Sequence, residues 1–297
     1  MFTKNDSNFY KTPDNEQIFY TKNFSTLDSN KPVLVFNYGL VCSNYHWKFQ
    51  TEYFDKLGFQ ILVHDYRGHF QSTGNQDIKK ITFSQMSKDI SNLCEFLGIK
   101  QAIMLGHSMG VNICLQLKKD YPDLVIGMVL ISGTFMAVKD IMFDTNAMEF
   151  IIPIVHAGLD KYPEIAKKIW SSGGHNPLIR ALVHATGFNK EKVSKEFIEI
   201  YLNRVGQLGI DIFIQLFEEM ARQNIMGHIE RMKIPALVIG GHKDNVIPNY
   251  LQRQLATMLP KSETYFLKDG SHVPQADFPE FINERMHLFF KQHFSPA

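Results

Sequence analysis

Residues Ala102-Ile103-Met104-Leu105-Gly106-His107-Ser108-Met109-Gly110-Val111-Asn112-Ile113 decide the fold of this chain. The first four form a short apolar run of the kind found in a strand covered on both faces. From Gly110 to Lys119 the pattern is helical. Strand, sharp turn and helix are the context that a G-x-S-x-G motif requires, and Gly106, Ser108 and Gly110 occupy its fixed positions. A serine at the apex of so tight a turn takes an unfavourable backbone conformation. Its neighbours two before and two after must be small so that strand and helix can pass closely. The turn exposes the Ser108 hydroxyl and aims a helix N-terminus at any negative charge that develops there.

Similar apolar runs flank this segment on both sides. They are Val33-Leu34-Val35-Phe36, Gln60-Ile61-Leu62-Val63, residues 125–131, Ala236-Leu237-Val238-Ile239 and Thr264-Tyr265-Phe266-Leu267, each bounded by Gly, Asp or Pro. A hairpin is predicted at the start, over 9–12 and 17–21, turning at Pro13-Asp14-Asn15. Helical patterns cover 82–97, 110–119 and 252–258. Strands alternating with helices predict an α/β fold with a mostly parallel central sheet flanked by helices. From 134 to 229 the alternation stops. Only helical periodicity remains there, over 138–150, 165–170, 177–185, 195–208 and 211–223, and the rhythm resumes at Ile234-Pro235. This reads as an inserted helical cap (134–229) in a core made of 1–133 and 230–297.

The chain has 297 residues, 44% hydrophobic and 21% charged, which excludes a disordered tail, a collagen-like chain and a disulfide-built miniature. Its 31 basic and 30 acidic residues leave a net charge of +1, so no electrostatic footprint for nucleic acid is expected. Cys42, Cys94 and Cys114 are scattered and odd in number, fitting reduced thiols and a cytoplasmic location. The polar opening MFTKNDSNFYKTPDNEQ lacks a signal-peptide apolar region. No apolar run approaches the roughly 18 residues of a membrane span. The 12 histidines fall into no H-E-x-x-H or Cys/His cluster, and no G-x-G-x-x-G or Walker loop follows a strand, so no metal and no cofactor are expected.

Two further residues follow strand candidates. Asp244 lies just beyond 236–239, in Gly240-Gly241-His242-Lys243-Asp244, and His272 lies beyond 264–267, in Gly270-Ser271-His272-Val273-Pro274. The order Ser108, Asp244, His272 is that of strand-end sites in this architecture. Other segments agree: Val33-Leu34-Val35-Phe36-Asn37-Tyr38-Gly39-Leu40, His64-Asp65-Tyr66-Arg67-Gly68-His69-Phe70-Gln71-Ser72, and His272 through Pro279-Glu280-Phe281. Over residues 9–135 and 230–294 the sequence resembles the α/β-hydrolase fold family, as a serine esterase or lipase-like member with a variable helical cap.

That resemblance implies roles. Ser108 is the expected nucleophile, His272 its base and then the leaving group's acid, and Asp244 the carboxylate that fixes the His272 tautomer. The competing acid position, after 125–131, reads Ser132-Gly133-Thr134 and holds no carboxylate. The expected oxyanion donors are the backbone N–H groups of Met109 and, by alignment with the family, Leu40. The family usually has His-Gly before that second donor; here Tyr38-Gly39 stands instead, with Asn37 or Tyr38 as the substitute for the histidine. Asp65 and Arg67 are read as a structural charged pair of the turn, in which Phe70 replaces a customary glycine. His107 is expected to point away from the nucleophile.

The implied reaction is cofactor-independent cleavage of a small-molecule carboxylic ester, with the acyl group in an apolar cleft roofed by 135–154. Serine at 108 argues against the fold's dehalogenases and epoxide hydrolases, which need aspartate there. Thioester hydrolysis, carbon–carbon bond hydrolysis, perhydrolysis and acyl transfer use the same residues, and a ligand-binding receptor with negligible turnover is the rival from another class. Oligomeric state is not legible in the sequence.

Overall fold

The short apolar runs become strands, and their burial explains why they lack alternation. In the computed structural model, which describes residues 7–72, 77–136, 147–177, 180, 188 and 192–294, the strands are β1 (Ser7–Lys11), β2 (Gln17–Lys22), β3 (Val33–Asn37), β4 (Gln60–His64), β5 (Ala102–His107), β6 (Val125–Ile131), β7 (Ala236–Gly241) and β8 (Ser262–Leu267). Every residue of β3, β4, β5 and β7 is buried. β8 lies at the sheet edge and has no fully buried residue.

One sheet holds all eight in the order β1-β2-β4-β3-β5-β6-β7-β8. β1 and β2 are antiparallel to their neighbours, and β3 to β8 run parallel. The chain builds outward from β3 to β4, then returns to the other side of β3 with β5. Such a reversal leaves a crevice at the carboxyl ends of the two strands. Here Asn37 of β3 stands opposite Gly106 of β5, so the loop after β3 and the turn at Ser108 open side by side.

Helices α1 (Lys48–Lys56), α2 (Phe83–Phe96), α3 (Met109–Asp120), α9 (Asn249–Met258), α10 (Pro274–Asp277) and α11 (Pro279–Phe294) flank the sheet. Thr82 caps α2 by accepting the Gln85 N–H at 3.2 Å. Sequence periodicity predicted α2, α3 and α9 but not α1 or α11. The signal for α11 is present: Ile282, Met286, Phe289 and Phe290 are buried along one stripe.

Between β6 and β7 the described residues form α4 (Ala147–Lys161), α5 (Pro163–Ser171), α6 (Lys195–Gln207), α7 (Ile210–Arg222) and α8 (Met226–Ile229), with no strand. The predicted helix over 177–185, apart from residues 177 and 180, and the start of that over 138–150 lie outside the described residues, as do Ile141, Met142, Phe143, Leu178 and Leu182. α7 is welded to the main core. Ile212, Leu216, Phe217 and Met220 join that core. The α7 residue Glu219 accepts the Phe83 N–H at 3.1 Å, and Gln215 Nε2 donates to the Ile81 carbonyl at 3.1 Å. α6 is held by a second cluster, in which Phe197, Ile198 and Leu202 pack with Phe188, Val273 and Ala276. α5 buries no side chain and leaves Ile165 and Ile169 exposed. No described helix is long and apolar enough to cross a membrane.

The turn after β4 corrects one expectation: Asp65 does not pair with Arg67. The buried guanidinium donates to both carboxylate oxygens of Asp89 on α2, at 2.6 and 2.7 Å, and to Asp14 of the β1–β2 turn at 3.2 and 3.3 Å. A planar fork favours the two-point contact Asp89 offers. Asp65 instead accepts from the Gln71 N–H (3.1 Å), Asn44 Nδ2 (3.2 Å) and the Tyr38 hydroxyl (3.4 Å). Phe70, in the place of a customary glycine, takes the left-handed conformation at φ 42°. The Arg67→Met variant strands Asp89 as a buried, uncompensated carboxylate. Urea denaturation is expected to show a loss of about 3–5 kcal/mol, largely recovered in Arg67→Met with Asp89→Leu. A single variant as stable as the parent would refute a structural role for this ion pair.

Candidate active site

Ser108 stands between the end of β5 and the start of α3, with φ 54° and ψ −122°. The turn is pinned on both sides: the Ser108 N–H donates to the Ile131 carbonyl, and its own carbonyl accepts from the Val111 N–H, each at 2.9 Å. The flanking glycines are required by space. A Cβ on Gly106 would lie 2.5 Å from the Gly110 carbonyl oxygen, and one on Gly110 would lie 2.2 Å from that of Asn37. Helix α3 therefore presses directly on β5 and on the end of β3.

Two distant loops bring their side chains to this serine. His272 Nε2 lies 3.1 Å from Ser108 Oγ, and His272 Nδ1 lies 3.1 Å from each carboxylate oxygen of Asp244. A ring nitrogen between two carboxylate oxygens is the protonated one, which leaves Nε2 with a lone pair towards the hydroxyl. The Asp244 side chain is fully buried. Its Oδ1 accepts the N–H groups of Val246 and Ile247 at 2.9 Å, and its Oδ2 accepts Gln252 Nε2 at 3.1 Å. The loops after β7 and β8 meet because neither has a side chain at the crossing. A Cβ on Gly241 would lie 2.1 Å from the Gly270 carbonyl oxygen, and the Lys243 N–H donates to that oxygen at 2.9 Å.

The loop after β3 runs over the serine. A Cβ on Gly39 would lie 2.8 Å from Ser108 Cβ, which puts the backbone of Gly39 and its successor Leu40 beside that side chain. Met109 begins α3, so its N–H is among those that find no acceptor within the helix. Both residues before Gly39 fix the loop. The Tyr38 carbonyl accepts the Tyr66 hydroxyl (3.0 Å), and the Tyr38 hydroxyl accepts the Tyr66 N–H (3.2 Å). Asn37 Nδ2 donates to the Leu105 carbonyl at 3.3 Å, and Asn37 Oδ1 lies 3.3 Å from His64 Nε2.

The sequence did not reveal Gln252, His46 or the contact made by His107. Gln252 reaches Asp244 only because α9 folds back across the turn. His107 turns away from the Ser108 hydroxyl, as expected, but its Nε2 bonds the His272 carbonyl at 2.9 Å. His46, in the Asn44–Trp47 turn, stacks on His107 with ring centroids 6.4 Å apart. Desolvation pushes His46, His64 and His69 from 6.5 down to about 4. It holds His107 well below its ordinary value, with His272 and His46 nearby adding to the effect. Burial also raises Asp65 to about 6. Among the described residues no cluster of His, Cys, Asp or Glu could hold a metal ion.

Comparison with known proteins agrees with this architecture. The model of the alpha/beta hydrolase fold family matches residues 32–279. Human "Protein ABHD8" is 26% identical over 261 residues, which are 86% of this chain and 54% of that one; the chain thus spans about half that relative's length. The "Bifunctional esterase/perhydrolase DCH" of Acinetobacter calcoaceticus is 24% identical over 274 residues, covering 91% and 92% of the two chains. Among solved structures, a thermophilic esterase from Thermogutta terrifontis superposes with a TM-score of 0.76 at 17% identity, over 97% of this chain and 99% of that one. At that identity the likeness is one of fold.

Two measurements test the packing and the electrostatics. Gly110→Ala is expected to cost about 3 kcal/mol or more in urea denaturation, because the new methyl meets backbone. Gly158→Ala on α4, where nothing lies within 4 Å, is expected to be neutral or stabilising by up to about 1 kcal/mol. Equal effects would refute the close approach. The second measurement is pH dependence. An unfolded chain protonates His46, His64 and His69 as pH falls through about 6.5, whereas the folded chain keeps them neutral until about 4. Unfolding therefore takes up protons in that window, and stability falls as pH falls. Asp65 opposes this in part, since its folded carboxyl binds a proton near 6. His107 adds to the loss in the same direction, and the expected net loss from about pH 7 to pH 5 is on the order of 5 kcal/mol. Stability that stays level or rises would contradict the buried neutral imidazoles.

Proposed function

Because the chain belongs to the alpha/beta hydrolase fold family, we propose that it is a serine hydrolase cleaving carboxylic esters of small apolar acyl substrates. One observation carries the reading: the hydrogen-bonded series from Ser108 Oγ through the His272 ring to Asp244, all contacts at 3.1 Å. Ser108 Oγ attacks the ester carbonyl as its proton passes to His272 Nε2. The N–H groups of Met109 and Leu40 receive the negative charge that develops on the carbonyl oxygen. When the intermediate collapses, Nε2 returns the proton to the departing alkoxide, leaving an acyl group on Ser108. Water deprotonated by His272 then attacks that acyl group and the acid leaves. Asp244 stabilises the imidazolium formed in each half, and the buried donors around it hold its carboxylate in line. The scheme needs no cofactor.

In this proposal residues 1–133 and 230–297 form the core, and residues 134–229 form the cap that shapes an acyl cleft. The run of helices with no strand, among the described residues between β6 and β7, supports the division. Buried Phe135 marks where the cleft would begin, although 137–146, the middle of the predicted roof, lies outside the described residues. The name of the Acinetobacter relative, which pairs esterase with perhydrolase, favours one second reading: hydrogen peroxide in place of water as acceptor of the same acyl group.

A fluorophosphonate probe and a p-nitrophenyl ester series test both parts. The wild-type chain is expected to be labelled and Ser108→Ala to be unlabelled, with kcat/KM reduced on the order of 10⁴-fold or more. Butyrate to octanoate is expected to exceed acetate. Folded wild-type protein that takes no label and turns over no ester would refute the hydrolase reading and favour a binding protein. Equal or better activity on acetate would refute the apolar acyl cleft alone.

A further inference from the structure

His107 is a buried, polar side chain next to the proposed nucleophile, and the mechanism above leaves it idle. Its ring is fully buried, 5.1 Å between centroids from His272 and 6.4 Å from Trp47. Its Nε2 lies 2.9 Å from the backbone carbonyl of His272. A carbonyl only accepts, so Nε2 is the donor. Nδ1 then carries a lone pair, and among the described residues it has no partner. It faces the loop after β3, where a Cβ on Gly39 would lie 3.2 Å from it. The residue before the serine thus touches both loops whose atoms must converge on it.

Residues 268–273 belong to no strand or helix. Among the bonds that shape them are Ser271 N–H to Asp277 Oδ2 at 2.5 Å, Val273 N–H to Ser271 Oγ at 3.3 Å, the Ala276 and Asp277 N–H groups to the Val273 carbonyl at 2.8 and 3.0 Å, Lys243 N–H to the Gly270 carbonyl, and the Lys243–Asp269 ion pair at 2.7 Å. Each of these ties the loop to itself, to α10 or to the loop after β7. The His107–His272 bond, across 165 residues, ties the His272 backbone to the end of β5 itself.

We infer that His107 is a positioning residue: its Nε2–H clamps the His272 carbonyl to the strand that carries Ser108, so the residue preceding the hydroxyl sets where the imidazole stands. This rests on the reading of His272 as the general base. Alignment matters because a displacement of about 1 Å in a reacting group can cost on the order of 100-fold in rate.

The test compares His107→Gln with His107→Asn. The glutamine carboxamide carries a donor at nearly the reach of Nε2, and the shorter asparagine does not. Circular dichroism and thermal melting establish that each variant is folded, and His107→Phe, which keeps the ring volume and has no donor, replaces the asparagine variant if that one is not. The asparagine variant is expected to lose roughly 10- to 100-fold in kcat with KM within about threefold, and the glutamine variant to recover most of the loss. ¹⁵N shifts of the His272 ring, which report its tautomer, are read alongside. They are expected to show Nδ1 protonated in wild type and glutamine variant, and averaging between tautomers in the asparagine variant. Ring shifts that are the same in all three proteins, or wild-type shifts without the Nδ1–H tautomer, would overturn the inference whatever the activity. A wild-type protein inactive on esters whose ring shifts change as expected would sink the ester reading and leave the positioning role standing.

Discussion

The close approach of helix α3 to strands β5 and β3 is the constraint from which the rest of the site follows. At 106 and 110 there is no room for a single methyl group, since a Cβ there would meet backbone oxygen at 2.5 and 2.2 Å. With helix and strands that near, the residue between them is forced into a left-handed conformation and its side chain stands clear of both. The reversal of strand order at β3 sets the loop after that strand over the same point. A hydroxyl, a run of backbone N–H groups and a crevice therefore coincide because of how backbone packs.

Around this point the protein buries polar side chains in number, and several are tied to neighbours that fix their direction. Asp244 accepts from two backbone N–H groups and from Gln252 as well as facing His272. Tyr38, Tyr66 and Asp65 lock the loop after β3 through one another. Arg67 joins the turn after β4 to α2 and to the β1–β2 turn. Groups of this kind, removed from water, have few alternative partners, so they hold one arrangement rigidly. The same desolvation keeps the surrounding imidazoles neutral, which leaves His272 beside uncharged rings.

The region between β6 and β7 is uneven in its attachment. α6 and α7 share side chains with the two apolar cores. The α5 residue Trp170 has its ring 4.7 Å from Phe213 of α7, and its Nε1 donates to the Leu208 carbonyl at 2.7 Å. A firm inner layer and a lightly held outer one can differ in motion while the strand-end loops stay in place.

Much of this was legible in the sequence. Continuous apolar runs revealed the strands, because a strand covered on both faces needs no polar side. Gly106, Ser108 and Gly110 revealed the turn, because their steric demand is local. Asp244 and His272 could be picked out by following the strand ends, and the structure brings both to Ser108. The partner of Arg67, the reach of Gln252 and the bond from His107 to His272 were not legible. Each joins residues whose separation along the chain carries no periodic signal, and each depends on which donor and acceptor the packing leaves face to face. By itself the sequence determined which segments are strand, turn or helix and which residue types stand at strand ends, since backbone sterics and burial act within a few residues. Only the tertiary structure decided which buried polar groups bond to which, since that choice rests on distances created when separate segments pack.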